Sequence, residues 1–308
     1  MPVPTRVNGV ASSQPARLVR PARARMCSAA AAFGLLIAAV PAAAQCRVPE
    51  NSNEAKLLAF YEAPVAFDVD AAPERLAPGA VRVSFEVEPM PTPNPAIQQT
   101  HICFASKSDN TRLSPIFGRP RIMIGLPAGF IFEGSYVPPI QLYDAKPNLG
   151  SFALSRAQRL PSAWGGALTL LLRAHGTVGE VKGPITCPTK GLQTDDPAAP
   201  CFGTSPSNDT FHPYMVGGEG TLSLTTRDQR WAFWAGGGVN WLKPRFQTGF
   251  TDGNGFTDST RVLVDLTRAV VFGGVTAHVT HAFELSAQVY SQPADVTTVR
   301  FAAGYIVR

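Results

Sequence analysis

The chain of 308 residues carries 27 lysines and arginines against 22 aspartates and glutamates, a formal net charge of +5. Five of the arginines lie in residues 1–44, which contain no acidic residue. Without that stretch, 22 basic residues (27 less five) face 22 acidic ones. A neutral chain offers no electrostatic basis for binding nucleic acid, so we expect no nucleic-acid partner.

Residues 1–44 have the order of a secretory signal peptide. Arginines precede an apolar run from Ala29 to Val40, Pro41 ends that run, and three alanines at 42–44 supply the small residues of a cleavage site. The run is shorter than the roughly 20 residues that a membrane-spanning helix needs. The sequence therefore predicts an exported protein that begins at Gln45 after cleavage.

Four cysteines remain after cleavage: Cys46, Cys103, Cys187 and Cys201. An even number in an exported chain indicates disulfides, and four cysteines allow three pairings. We favour Cys187–Cys201, because the residues between them have the composition of a single loop, and this leaves Cys46–Cys103 as the other pair. A structural zinc site is the alternative, but there is neither a CxxC motif nor a nearby Cys/His cluster, so no metal site is predicted.

Most of the remaining chain alternates between apolar and polar residues with a period of two, which predicts β-strands. The clearest case places Trp231, Phe233, Ala235, Val239 and Trp241 on one face. In a strand tilted by about 45°, the two tryptophans lie roughly 23 Å apart along the membrane normal. That separation matches an apolar band about 25 Å tall with an aromatic girdle at each edge. The pattern predicts strands that cross a membrane.

The connections between the predicted strands alternate between short turns and long loops, as in an up-and-down barrel with both termini on the short-turn side. One β-bulge is needed, because the apolar face switches between Leu266 and Val271. Extra strands at 57–68 and at Thr100–Phe104 would make twelve instead of ten. The ten strands are predicted near 80–88, 117–126, 129–137, 150–160, 167–182, 214–226, 229–250, 257–279, 282–291 and 295–307.

The predicted fold class is thus all-β: a closed antiparallel up-and-down transmembrane β-barrel of about 10–12 strands, with a short N-terminal segment outside the barrel. Residues 45–79 are predicted to form an N-terminal periplasmic segment, which contains one short helix candidate from Glu54 to Tyr61. Residues 80–308 are predicted to form the barrel.

The C-terminal third contains the segments RWAFWAGGGVNW, GGVTAHVTHAFELSAQVYS and VRFAAGYIVR, in which glycine-rich strands are followed by tight turns. This style resembles small bacterial outer-membrane barrels of the porin-like superfamily, over roughly residues 214–308. The resemblance implies a protein of the outer membrane that contacts membrane lipid and is inserted by the barrel-assembly machinery.

Charged and histidine side chains fall on the predicted inward faces of the strands. One interpretation is a selectivity surface that lines a channel. The other is a salt-bridged interior that fills and closes the barrel, because an unpaired charge away from water is costly; at ten or so strands, either is compatible with the barrel's width. The residues predicted to line the lumen are Arg82, Glu86, Arg121, Glu133, Arg173, His175, Glu219, Asp265, His278, Glu284 and Arg300.

No local motif indicates an enzyme, a cofactor or a metal. There is no Gly-x-Ser-x-Gly elbow and no His-x-Ser, and the glycine runs lack a following Gly-Lys-Ser/Thr. His278 and His281 are three apart, so on one strand they point to opposite faces and cannot share an ion. Asp252 and Asn254 fit a hairpin turn better than a calcium loop. We expect a protein that is not an enzyme and has no cofactor.

Three functions remain open at the level of sequence. The first is a porin-like channel for small solutes. The second is a closed structural or surface-binding barrel, in which the disulfide-stapled loop 183–213 meets an extracellular partner. The third is a soluble exported β-sandwich.

Overall fold

The computed structural model describes residues 45–100, 102–103, 113–163 and 165–307, so the predicted signal peptide lies outside the described residues. Its helices are α1 (Asn53–Glu62) and the short α2 (Pro95–Gln98), with single 3-10 turns at Pro127–Gly129 and Thr189–Gly191. Its strands are β1 (Gln45–Arg47), β2 (Val81–Pro89), β3 (Ile116–Gly125), β4 (Phe130–Val137), β5 (Lys146–Ala163), β6 (Gly166–Gly183), β7 (Asp209–His212), β8 (Met215–Thr225), β9 (Trp231–Leu242), β10 (Arg245–Gln247), β11 (Phe250–Thr251), β12 (Thr257–Asp258), β13 (Arg261–Leu263), β14 (Leu266–His278), β15 (Phe283–Gln292) and β16 (Val296–Val307).

Ten of these strands close into an antiparallel barrel in the order β2-β3-β4-β5-β6-β8-β9-β14-β15-β16, and β16 pairs back with β2. Phe301 lies opposite Val87 at this closure, and Leu172 lies opposite Gly220 where β6 pairs with β8. The predicted closed barrel of ten strands is therefore confirmed. The twelve-strand alternative is wrong at 57–68, because those residues form part of α1 and an extended segment inside the barrel.

The outer face of the barrel is apolar, as the alternating pattern predicts. On β9, Trp231, Phe233 and Trp241 are about half exposed, while Trp234 between them is buried on the inward face. A continuous apolar surface around a closed barrel has no role in water and is typical of contact with lipid. Together with the closure of the sheet, it identifies a bacterial outer-membrane β-barrel. Among the described residues, no helix is long and apolar enough to cross a membrane.

The two ends of the barrel differ in the length of their connections. Tight turns join β3 to β4, β5 to β6, β8 to β9 and β14 to β15. The last residue of β16 and the first residue of β2 pair with each other at this same end of the barrel. The long connections 90–115, 184–208 and 243–265 leave the opposite end. In bacterial barrels the short turns face the periplasm, so the long connections lie outside the cell.

A small side sheet extends above the extracellular end. The last residues of β6 pair with β7, which pairs with β10, which pairs with β13, and β1 joins β13 in parallel. Together with α1 and the loop 183–213, this side sheet forms what we call the cap. Two predicted strands, 229–250 and 257–279, were therefore too long: Pro244 has no N–H to continue a ladder, and the chain leaves the barrel there and returns at Leu266.

The N-terminal residues do not form a separate periplasmic segment. β1 and α1 belong to the extracellular cap, and residues 63–73 are all buried and descend through the barrel before the chain emerges at the short-turn end and enters β2. We call residues 63–73 the plug segment. The prediction that residues 45–79 lie in the periplasm is corrected accordingly. The predicted helix Glu54–Tyr61 is present as α1.

Candidate functional site

Ionisable side chains on the inward faces of the barrel strands form a cluster in the lumen. Their positions follow from strand alternation, since each lies between two outward apolar neighbours. His278 lies at the periplasmic end, where its ring nitrogens approach Glu74 at 3.2 Å and Glu284 at 3.5 Å. Buried in the lumen are the predicted residues Arg82, Glu86, Arg121, Glu133, Arg173, His175, Glu219, Glu284 and Arg300.

Asp265 is the exception among the predicted lumen residues. It precedes β14 in the extracellular connection, and its side chain is 42% exposed. It accepts hydrogen bonds from Arg245 and Arg47, each at 2.7 Å, and these bonds hold its pKa below the usual range. Asp265 therefore fastens β1 to the base of the cap and does not line the lumen. The alternation around it comes from β13, which lies outside the barrel.

After a turn at residues 63–65, the plug segment runs through the lumen as an irregular chain without strand partners. Its backbone polar groups are instead satisfied by side chains of the wall, as buried peptide groups require. Arg119 donates to the carbonyls of Val65 and Ala66 at 3.1 and 2.6 Å. Arg300 donates to the carbonyl of Ala63 at 2.9 Å. The wall arginines therefore bind the backbone of the plug as well as neighbouring carboxylates.

Further wall residues continue this pattern along the length of the plug. Its backbone is bonded to side chains of β3, β6, β8, β14 and β15. The bonds run from Thr177 Oγ1 to Val65 O at 3.3 Å, from Ala72 N to Thr276 Oγ1 at 2.8 Å, from Ser223 Oγ to Pro73 O at 3.0 Å, from Arg173 to Phe67 O, from Arg121 to Asp68 O and from Ser286 to Asp70 O.

The two carboxylates of the plug are built into the wall's ion pairs. Asp70 binds Arg82 at 2.9 Å and accepts a hydrogen bond from Ser84 at 2.6 Å. Asp68 binds Arg300 and accepts a hydrogen bond from Gln288. Both carboxylates are buried, and so are their partners. Releasing the plug would leave Arg82 and Arg300 without these counter-charges in a closed lumen, which is costly.

The ion pairs form one connected network across the lumen. Among the described residues it contains seven carboxylates and five arginines, and it joins the plug to β2, β3, β4, β6, β8, β15 and β16. Between side chains of the wall, its closest pairs are Arg82–Glu284 at 2.5 Å, Arg121–Glu133 at 2.6 Å, Arg119–Glu86 at 2.8 Å, Arg173–Glu219 at 2.8 Å, Arg173–Glu133 at 2.9 Å and Arg300–Glu88 at 2.9 Å, together with Arg121–Glu86.

Phe67 lies at the centre of this network. The guanidinium carbons of Arg121, Arg173 and Arg119 lie 4.3, 5.0 and 5.1 Å from the centroid of its ring. Cations within about 6 Å of an aromatic face are attracted by its quadrupole. The fully buried ring thus fills the space between three guanidinium groups and is attracted to each of them. Its position makes the plug part of the packed interior.

Above the charged layer, at the extracellular end, the lumen becomes apolar and widens into a cavity of about 280 Å³. Its wall consists of inward residues near the ends of the barrel strands, such as Phe117, Val137 and Val181. Residues of α1 lie across it, including Leu57 and Leu58. The plug segment forms its floor through Val65, and residues of the side sheet close another part.

The cap that encloses this cavity is fixed by two disulfides, Cys46–Cys103 and Cys187–Cys201. Asp209 organises the loop that contains the second one. Its buried carboxylate accepts hydrogen bonds from the backbone N–H groups of Ile185, Thr186 and Gly249 at 2.6–2.9 Å. It also accepts one from Ser207 Oγ at 2.7 Å. Disulfides and buried hydrogen bonds therefore hold the cap in one defined conformation.

Glu62 is the last residue of α1. Both of its carboxylate oxygens are buried and lack a hydrogen-bond partner among the described residues. Burial raises the pKa of this carboxyl well above its usual value, and the nearby charge of Arg245 opposes the shift only in part.

No group of three or more potential metal ligands occurs among the residues that the structure describes.

Four ionisable residues in the lumen are not among those predicted from the sequence: Arg119, Glu88, Asp68 and Asp70. Glu88 lies two residues after Glu86 on β2, and Arg119 lies two residues before Arg121 on β3. Both point inward, so the same alternation predicts them. Asp68 and Asp70 were missed because residues 45–79 were assigned to the periplasm. Their alternation with Phe67 and Val69 resembles a strand, and nothing local shows that their partners lie on other strands.

No family model matches this chain, and no curated protein matches it. Solved structures of outer-membrane barrels do match. The outer membrane protease OmpT from Escherichia coli is 8% identical, with 74% of this chain and 91% of that one covered, at a TM-score of 0.35. The attachment invasion locus protein Ail of Yersinia pestis is 7% identical over 75% and 100%, at 0.24. The toluene transporter TodX of Pseudomonas putida is 10% identical over 75% and 68%, at 0.23.

Proposed function

We propose that this protein is a closed outer-membrane barrel that acts at the cell surface through its cap and does not pass solutes through its lumen. The observation that carries the proposal is the plug segment, in which eleven consecutive buried residues descend through the barrel. Its backbone and its two carboxylates are bound by side chains of the wall. Of the two interiors that the sequence allowed, this arrangement favours the salt-bridged one.

The porin-like channel would need a water-filled path beside or instead of the plug. In open channels, charged side chains face water and tune selectivity. Here the side chains of Arg119, Arg121, Arg173 and Arg300 are at most 2% exposed and are bound to carboxylates or to the plug. Such groups are structural ion pairs and cannot at the same time serve as a hydrated selectivity surface. The cap, including loop 183–213, is then the surface that faces an extracellular partner.

The experiment is a conductance measurement on single barrels in planar lipid bilayers. The wild-type protein should show no steady conductance. The variant Asp68→Asn/Asp70→Asn removes the charges by which the plug binds Arg300 and Arg82 while keeping the size of both side chains, so it should show intermittent openings. The matched control Asp195→Asn/Asp196→Asn removes two exposed acids from the cap loop and should stay silent.

Migration on a gel before and after heating reports whether each variant still forms a closed barrel. A steady, ohmic conductance from folded wild-type protein would refute the proposal and restore the porin-like channel. The expectation that the protein is not an enzyme, and that the barrel-assembly machinery inserts it, both remain predictions.

A further inference from the structure

The apolar cavity beneath the cap differs from the rest of the lumen in both chemistry and construction. Below it the lumen contains the buried ion pairs, whereas its own lining is almost wholly apolar. The lining comes from several parts of the chain: barrel wall, α1, plug, side sheet and the connection between β4 and β5. Concave sites lined mainly by apolar side chains are where proteins usually bind small molecules. We therefore ask which class of molecule this cavity could bind.

Its size sets the class of ligand. A cavity of about 150 Å³ lined by apolar side chains binds benzene, so one of about 280 Å³ has room for a molecule roughly twice as large. Ligand pockets in proteins begin at about 300 Å³ and are likewise lined mainly by apolar and aromatic residues. A two-ring hydrocarbon or an alkyl chain of similar volume fits this space.

Its charge sets the polarity of that ligand. Among the described lining residues the only ionisable groups are Glu54 and Tyr61, and no lysine or arginine is present. Glu54 is buried and already accepts a hydrogen bond from the backbone N–H of Ile102 at 2.7 Å. Among these described residues, a carboxylate or phosphate on the ligand would find no basic side chain as a counter-charge. The lining thus favours an uncharged molecule over a fatty acid anion.

Access to the cavity is also apolar. Ile140 and Leu142 line it from the connection between β4 and β5, and these side chains are 67% and 43% exposed. They lie at the extracellular end of the barrel, above the outward face that contacts lipid. An apolar molecule that reaches the cell surface, or an alkyl chain from the outer leaflet, meets an apolar edge before it meets the charged layer.

We propose that this cavity is a binding site for a small uncharged apolar molecule, of the size of a two-ring hydrocarbon or a comparable alkyl chain. The proposal names the ligand class for the cap of the proposed closed barrel. It rests on the proposed function in one respect: the plug, through Val65, forms the floor of the site.

The test measures binding of radiolabelled naphthalene to the purified, lipid-depleted barrel in amphipol, by equilibrium dialysis. Wild-type protein should bind about one naphthalene per chain, with saturation. Val181→Trp and, independently, Val137→Trp each fill the cavity and should weaken binding at least tenfold. The matched control Val178→Trp makes the same change on the outward face of β6, where the side chain is exposed, and should bind as the wild type does. Having two filling variants covers the case in which one of them does not fold.

Competition then identifies the source of the ligand. Displacement by decanol but not by phospholipid supports a free molecule, and displacement by phospholipid supports an alkyl chain of the membrane. Binding that does not saturate, or that is unchanged in both folded filling variants, would overturn the site. A wild-type barrel that conducts ions yet still binds naphthalene would refute the proposed closed state and leave this site intact.

Discussion

At the scale of single residues, the interior depends on arginines that each satisfy several acceptors at once. Arg121 is the most connected: it binds Glu133 at 2.6 Å, contacts Glu86, donates to the carbonyl of Asp68 and stacks over Phe67. Its side chain is fully buried. Removing one member of such a network leaves the others charged and unpaired, and that cost exceeds the value of any single contact.

We therefore predict that Arg121→Met lowers the free energy of unfolding by roughly 3–5 kcal/mol, measured by urea titration in lipid vesicles. The control is Arg156→Met, the same change at an exposed arginine 5.5 Å from the ring of Phe130, which should cost no more than about 1 kcal/mol. Equal costs for the two variants would mean that the network adds nothing to stability.

Glu62 provides a prediction about pH. Burial raises its pKa in the folded protein, so the folded state holds a proton that the unfolded state releases above about pH 4.5. Its contribution to stability is therefore complete at low pH and is lost as pH rises. Glu62→Gln cannot ionise and should be more stable than the wild type at pH 8 but equal to it at pH 4, by urea titration. Glu50→Gln, at an exposed position, is the control; a gain that does not depend on pH would contradict this account.

At the scale of secondary-structure elements, the strands were predictable because lipid and lumen impose opposite chemistry on alternate residues. Each of the ten predicted strands corresponds to a barrel strand, and the tight turns were placed correctly. The predicted bulge in β14 is wrong: β14 pairs with β9 residue by residue from Leu266 to Ala277. Val270 and Phe272 point inward there, because the lumen is apolar around Tyr290 and Trp234.

The plug and the cap could not be predicted in the same way. The plug has no strand partner and no helical period, and the side chains that bind it are spread between Arg82 and Arg300 along the chain. The side sheet consists of strands of three or four residues, too short for a period to be recognised. In both cases the structure depends on contacts between distant residues, which local patterns do not encode.

The division between lipid face and lumen face gives a prediction about β9. Ala235 lies halfway between the border residues Trp231 and Trp241 on the outward face, so an arginine there is placed at the middle of the bilayer. Ala235→Arg should cost roughly 2–4 kcal/mol, whereas Thr267→Arg, opposite Trp241 at the border, should cost about 0–1 kcal/mol. Reversible unfolding from vesicles measures both. Similar costs at both positions would show that this face does not span the bilayer.

At the scale of the whole molecule, the N-terminal part of the chain contacts the barrel in two places: at its extracellular end and inside its lumen. β1 and the disulfide Cys46–Cys103 fix it to the cap, and the plug segment then crosses the lumen to the short-turn end. The barrel thus contains a segment of its own chain, and the plug provides the floor of the cavity beneath the cap. The proposed closure and the proposed apolar site both depend on this one arrangement.

The measurement that tests this arrangement most directly is a photo-crosslink from the plug. A diazirine-bearing phenylalanine at position 67, activated in the folded protein within outer-membrane vesicles, should crosslink to peptides of β3 and β6, which contain Arg119, Arg121 and Arg173. The same amino acid at position 85, on the outward face of β2, should crosslink to lipid instead. If the probe at position 67 does not crosslink to β3 or β6, or crosslinks only to periplasmic proteins, the plug does not occupy the lumen and the closed barrel is wrong.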